Sequence, residues 1–72
     1  MAIHRLLRNT VFDPETVAAM ADAFEQACRE LGLVDRSDPA RDTVARKVIE
    51  IAQAGERDAA RLRERTVAAL KA

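Results

Sequence analysis

The sequence predicts an all-α fold, a small three-helix domain, on three observations. Two Asp-Pro pairs, Asp13-Pro14 and Asp38-Pro39, mark helix starts. The aspartate accepts from amides that the first turn leaves unpaired, and proline at the first helical position gives up an amide that had no partner there. Two glycines, Gly32 and Gly55, each follow an apolar turn, where the left-handed residue past a helix end is easiest without a Cβ. No run alternates apolar and polar residues with period two. The expected helices span 14–31, 39–54 and 59–71.

Phe12-Asp13-Pro14-Glu15 is the strongest start signal, with Glu15 favouring the positive end of the helix dipole and Phe12 placed to close on Val17 as a hydrophobic staple. At 100° per residue, Val17, Met20, Ala21, Phe24, Ala27, Cys28 and Leu31 share one face of this first helix. Gly32 ends it, and Leu33 stands where a Schellman ending places its apolar contact. Glu25 and Arg29 have the i, i+4 spacing of a favourable ion pair. Ala19 and Ala23 flank the apolar face and would let another helix approach closely, in a dimer contact or simply as good helix formers.

After the short connection Leu33 to Ser37, the second helix divides cleanly. Val44, Ala45, Val48, Ile49, Ile51 and Ala52 take one half of its circumference, and Arg46, Lys47, Glu50 and Gln53 the other. Asp58 is the expected N-cap of the third helix. That helix is less tidy. Leu62, Thr66, Ala59, Leu70, Val67 and Ala60 share a broad face, and Arg63 falls near its middle. Two readings stay open: its methylenes lie on the core edge with the guanidinium in water, or it pairs with a carboxylate of another helix or subunit.

Residues 1–11 are expected to be a flexible or partner-docked segment, with one short helical turn carried by Ile3, Leu6 and Leu7, and residues 12–72 a single domain. A helical nucleus that short is unstable alone. His4 has no second histidine, cysteine or carboxylate at metal spacing nearby, so a solvated side chain is expected there.

A 72-residue chain lies near the size at which one hydrophobic core barely offsets chain entropy. Its 49% hydrophobic content leans on alanine, and Phe12 and Phe24 are the only aromatics. Self-association, most simply as a homodimer, is the expected way to gain core. Twelve basic and twelve acidic side chains give a formal net charge of zero, which argues against bulk nucleic acid as a partner. Cys28 is the only cysteine, so no intramolecular disulfide is expected, and a small core residue is the simpler reading than a reactive thiol. No stretch is long enough to span a membrane. The expectation is a soluble, cytoplasmic protein.

A helix, a glycine turn and an arginine-bearing helix suggest a DNA-reading hairpin. Arg57, Arg61 and Arg65 form a basic strip, but Glu56 and Glu64 interleave with it, and Glu56 and Asp58 are acidic where phosphates would be met. Enzyme chemistry has less support. Ser37 is the only serine, there is no second histidine to act as a base, and no glycine-rich loop could cradle phosphate. Asp35, Asp38 and Asp42 lack the glycine and terminal glutamate of a calcium loop. No catalytic residue, metal site or cofactor is expected.

Phe12-Asp13-Pro14-Glu15-Thr16-Val17, then Val44-Ala45-Arg46-Lys47-Val48-Ile49, then Gly55-Glu56-Arg57-Asp58 with Arg61-Leu62-Arg63, resembles a family of small uncharacterised alphaproteobacterial proteins. The likeness covers most of residues 12 to 70, and the Gly-Glu-Arg-Asp elbow is its most specific part. It implies no established activity. Similar members often carry proline after the elbow aspartate, where this chain has Ala59, so the N-cap at Asp58 is less sharply marked. The resulting expectation is a non-enzymatic helical interaction or regulatory protein that self-associates, with Arg57, Arg61, Arg63, Arg65, Ala19 and Ala23 as candidate contacts. The alternative is a DNA-associated regulator built on the helix-turn-helix-like hairpin.

Overall fold

The computed structural model describes residues 12–71, and the short N-terminal turn expected around Ile3, Leu6 and Leu7 lies outside them. Three helices follow one another: α1 Pro14–Glu30, α2 Ala40–Gln53 and α3 Ala59–Lys71, with no strand among the described residues. Each packs against both of the others, and the α1–α3 pairing is the most extensive.

The punctuation residues set the ends. Asp13 Oδ1 accepts from the Thr16 amide at 2.7 Å, with Pro14 in the first helical position. At the other end of α1, Leu33 N donates to Cys28 O at 2.8 Å and Gly32 N to Arg29 O at 3.2 Å. That pair of bonds, with Gly32 at φ 76°, is a complete Schellman motif. α2 ends the same way: Glu56 N reaches Ile51 O at 3.3 Å and Gly55 N reaches Ala52 O at 3.0 Å, with Gly55 at φ 121°. Asp58 caps α3, its Oδ2 accepting from Arg61 N at 3.1 Å.

The start of α2 differs by one residue from expectation. Asp38 Oδ1 accepts from Ala40 N at 2.9 Å, while Asp42 N bonds Pro39 O at 3.1 Å, an i to i+3 turn. Pro39 already has helical dihedrals, so the entry is a tight single turn that opens into the α-helix at Ala40.

Between the helices lies a core of small and medium side chains. α1 contributes Met20, Ala23, Ala27 and Cys28, α2 contributes Val44, Val48, Ile49 and Ala52, and α3 contributes Leu62 and Val67. The buried sector of α1 is rotated from the one expected. Ala21 is exposed, whereas Ala23 and Thr16 are buried. Ala23 and Glu30 stand two turns apart on the same edge of α1, and Glu30 pairs with Arg63 of α3. α3 therefore covers that edge, and the small side chains of Ala19 and Ala23 allow the approach.

Candidate functional site

The elbow between α2 and α3 gathers several polar contacts, and its four residues have separate tasks. Gly55 turns the backbone. Glu56 folds back so that its Oε2 accepts from the amides of Arg57 at 3.2 Å and Asp58 at 3.3 Å. Its Oε1 lies 3.4 Å from Arg65 Nε, and only 13% of the Glu56 side chain is exposed. Arg57 donates to the Ala52 carbonyl at the end of α2 and holds its guanidinium 5.1 Å from the centre of the Phe12 ring. Such an arginine over an aromatic face is attracted by the ring quadrupole. Asp58 starts α3. The elbow thus ties the end of α2, the start of α3 and the approach to α1 together.

Of the basic strip, two members are engaged within the fold: Arg57 as described, and Arg65 with Glu56. Arg61 is exposed, and its side chain makes no ion pair among the described residues. Arg63 reaches across to Glu30 of α1. With 27% of the Arg63 side chain and 41% of the Glu30 side chain exposed, the pair sits on the rim of the α1–α3 seam. The two readings of Arg63 meet here: its stem borders the core and its head has a carboxylate from another helix of the same chain. Ala23, at 1% exposure, belongs to the core, and Ala19 is half-buried against it. In this fold, Ala23 is closed to a second molecule.

A second constellation has no counterpart in the sequence reading. Arg41, in the first turn of α2, donates from Nη1 to Leu33 O and from Nη2 to Glu25 Oε1, both at 3.1 Å. Its guanidinium lies 5.0 Å from the centre of the Phe24 ring, and only 13% of its side chain is exposed. Glu25 reaches Arg41 across the helices and not Arg29 along its own. The clue was available, since Arg41 lies about 60° from Val44 on the helical wheel, a cation on the apolar face just as Arg63 is. Beside it, a shallow depression is lined by Arg29, Leu33, Val34 and Arg36, with Glu25 and Cys28 on the α1 side. Cys28 is itself 1% exposed. Burial pushes its thiol up from the usual range, against a smaller downward pull from Arg41.

Among the described residues, no group of three or more histidine, cysteine, aspartate or glutamate side chains is placed to hold a metal ion. None of their helices is long and apolar enough to cross a membrane. The chain matches no known family model, no curated protein and no solved structure. At two corners of the bundle an arginine thus lies over an aromatic ring and is tied to a main-chain carbonyl, and at one of them to a carboxylate as well.

Proposed function

We propose that this chain is a non-enzymatic interaction protein of the cytoplasm, a three-helix module that self-associates as a homodimer. One observation carries the reading. Neither aromatic ring enters the core: Phe12 and Phe24 are half-buried at its edge, each beneath an arginine, and the largest fully buried side chains among the described residues are Met20 and Leu62. A core without an aromatic is small for a chain of this length, and arginine and aromatic side chains are the types that dominate protein contacts. The engagement of Arg57 with the Ala52 carbonyl and the Phe12 ring and of Arg65 with Glu56 favours a protein partner over duplex DNA, because it leaves Arg61 as the member of the strip whose side chain has no partner among the described residues.

Sedimentation equilibrium over a concentration series tests this directly. A mass that rises from monomer toward dimer with concentration is expected. A folded monomer at high micromolar concentration would sink the homodimer, and duplex binding at low salt that collapses steeply as salt rises would favour the DNA-associated alternative instead.

A further inference from the structure

Val34 is the one large apolar side chain among the described residues that stands mostly in solvent, at 80% exposure. A single exposed valine needs no explanation on its own. Its setting does. The connection that carries it is pinned at both ends: Leu33 N donates to Cys28 O at 2.8 Å, and Leu33 O accepts from Arg41 at 3.1 Å. On the other side, the amide and hydroxyl of Ser37 donate to Asp35 Oδ1 at 2.9 and 2.7 Å, and Asp38 N donates to Asp35 O at 3.1 Å. A side chain presented on so constrained a loop loses little further freedom on binding.

The charge that lines the depression beside Val34 is mostly positive. Arg29, Arg36 and Arg41 line the depression beside it, with Glu25 as the one carboxylate. Glu25 is already paired with Arg41, whereas Arg29 and Arg36 make no ion pair among the described residues. Three cations less one anion leave an excess of two positive charges along the lining, which the carboxylate of Asp35, next to Val34 in the chain and turned to Ser37, lowers to one. A two-fold contact of this corner with the same corner of a second copy would set arginine against arginine. Complementarity therefore selects a different, acidic surface.

We infer that this corner is the docking site for an acidic segment of a partner protein. Carboxylates of the segment meet Arg29 and Arg36, and an aliphatic side chain next to them covers Val34. This rests on the interaction-protein reading and names the partner chemistry, while remaining independent of self-association.

The test is amide chemical-shift mapping by NMR on the full chain, titrated with a synthetic peptide alternating glutamate and leucine. A glutamine–leucine peptide and inorganic phosphate serve as comparison probes. Shifts concentrated on Arg29 and Leu33 to Arg36 are expected. Affinity should fall about tenfold or more in the Arg29→Glu, Arg36→Glu double variant and several-fold in Val34→Asp, with Arg46→Glu on the outer face of α2 unchanged. All of these positions are exposed, so the dispersion of the spectrum should survive each change and show that the fold is intact. Equal binding of the glutamine peptide would overturn the inference. So would phosphate producing the same shifts as tightly, shifts centred on Arg61 and Lys71, or no shifts at millimolar peptide. Absence of binding sinks this inference even where sedimentation finds a dimer, and a monomer that binds the peptide upholds it while removing the homodimer.

Discussion

Thr66 is fully enclosed, and its hydroxyl oxygen has no hydrogen-bond partner among the described residues. A buried hydroxyl left unpaired costs about 1–3 kcal/mol, and valine has nearly the same shape with a similar helix propensity. Thr66→Val should therefore raise stability by about 1 kcal/mol, read as a higher urea midpoint with an unchanged slope. A lower midpoint would mean that the hydroxyl has a role after all. Two aspartates contribute to the expected acid sensitivity. Hydrogen bonds from the Thr16 side chain and amide, aided by the nearby charge of Arg57, hold the Asp13 carboxyl below its ordinary range. The amide and hydroxyl of Ser37 do the same for Asp35. A carboxyl whose folded pKa is depressed contributes stability that is fully present above the unfolded value of about 3.9 and is lost as pH falls through the lower folded value. Urea midpoints should accordingly decline below about pH 4. In Asp13→Asn, which keeps a capping oxygen but cannot titrate, that decline should be shallower; an identical acid profile would remove Asp13 from the account.

At the scale of the elements, the two helix ends that look alike in sequence differ in backbone. Gly32 at φ 76° lies near the left-handed helical region, and Gly55 at φ 121° lies well beyond it, while neither has an atom within 4 Å of where a Cβ would stand. The cost of a side chain there is conformational and not steric crowding by neighbours. Gly32→Ala should lose about 1 kcal/mol and Gly55→Ala more, about 2 kcal/mol, with asparagine rescuing position 32 and not position 55. Thermal denaturation of the four variants decides it, and equal losses would contradict the argument. Across the α1–α3 seam, the Glu30–Arg63 pair is half in water, where ion pairs contribute about 0.2–1 kcal/mol. A double-mutant cycle with Glu30→Ala and Arg63→Ala should return a coupling within that range, and a coupling near zero would make the pair ornamental. The helices themselves were legible because their ends are chemically marked: Asp13, Asp58, Gly32 and Gly55 each act locally, and local signals can be read from neighbours in the chain. The partners of Arg41 and Arg63 were not legible, because Glu25 and Glu30 lie on another helix and periodicity identifies a face without saying what covers it. The rotated sector of α1 has the same origin. Ala21 and Ala23 are the same residue type, and only the position of α3 decides which is buried.

Taken as a whole molecule, the bundle shares one core among three helices, so no pair encloses it alone. Leu62 and Thr66 are completely buried and Val67 nearly so; removing α3 would expose their contacts and the Ala23 edge together. The residual α1–α2 hairpin would retain Met20, Ala27 and Cys28 against Val44, Val48 and Ala52, a strip of mostly small side chains. Helices of this length are marginal in water without tertiary packing, and both helices are close to that limit, at 17 and 14 residues. The caps at Asp13 and Asp38 and the Schellman endings each act only at the ends, and none replaces the apolar area that α3 covers. A chain ending at Asp58 should therefore lose most of its far-ultraviolet helical signal, and should do so well beyond the share that α3 itself contributes. The full chain should melt in one cooperative transition, with coincident curves from helical signal and from exposure of the Cys28 thiol to a labelling reagent. Cys28 is a suitable reporter because it lies in the core and reacts only when the bundle opens. A truncated chain that keeps the helicity of α1 and α2, or thiol labelling that precedes the loss of helix, would show that the α1–α2 hairpin is a folding unit in its own right and that α3 docks onto it as a separate event.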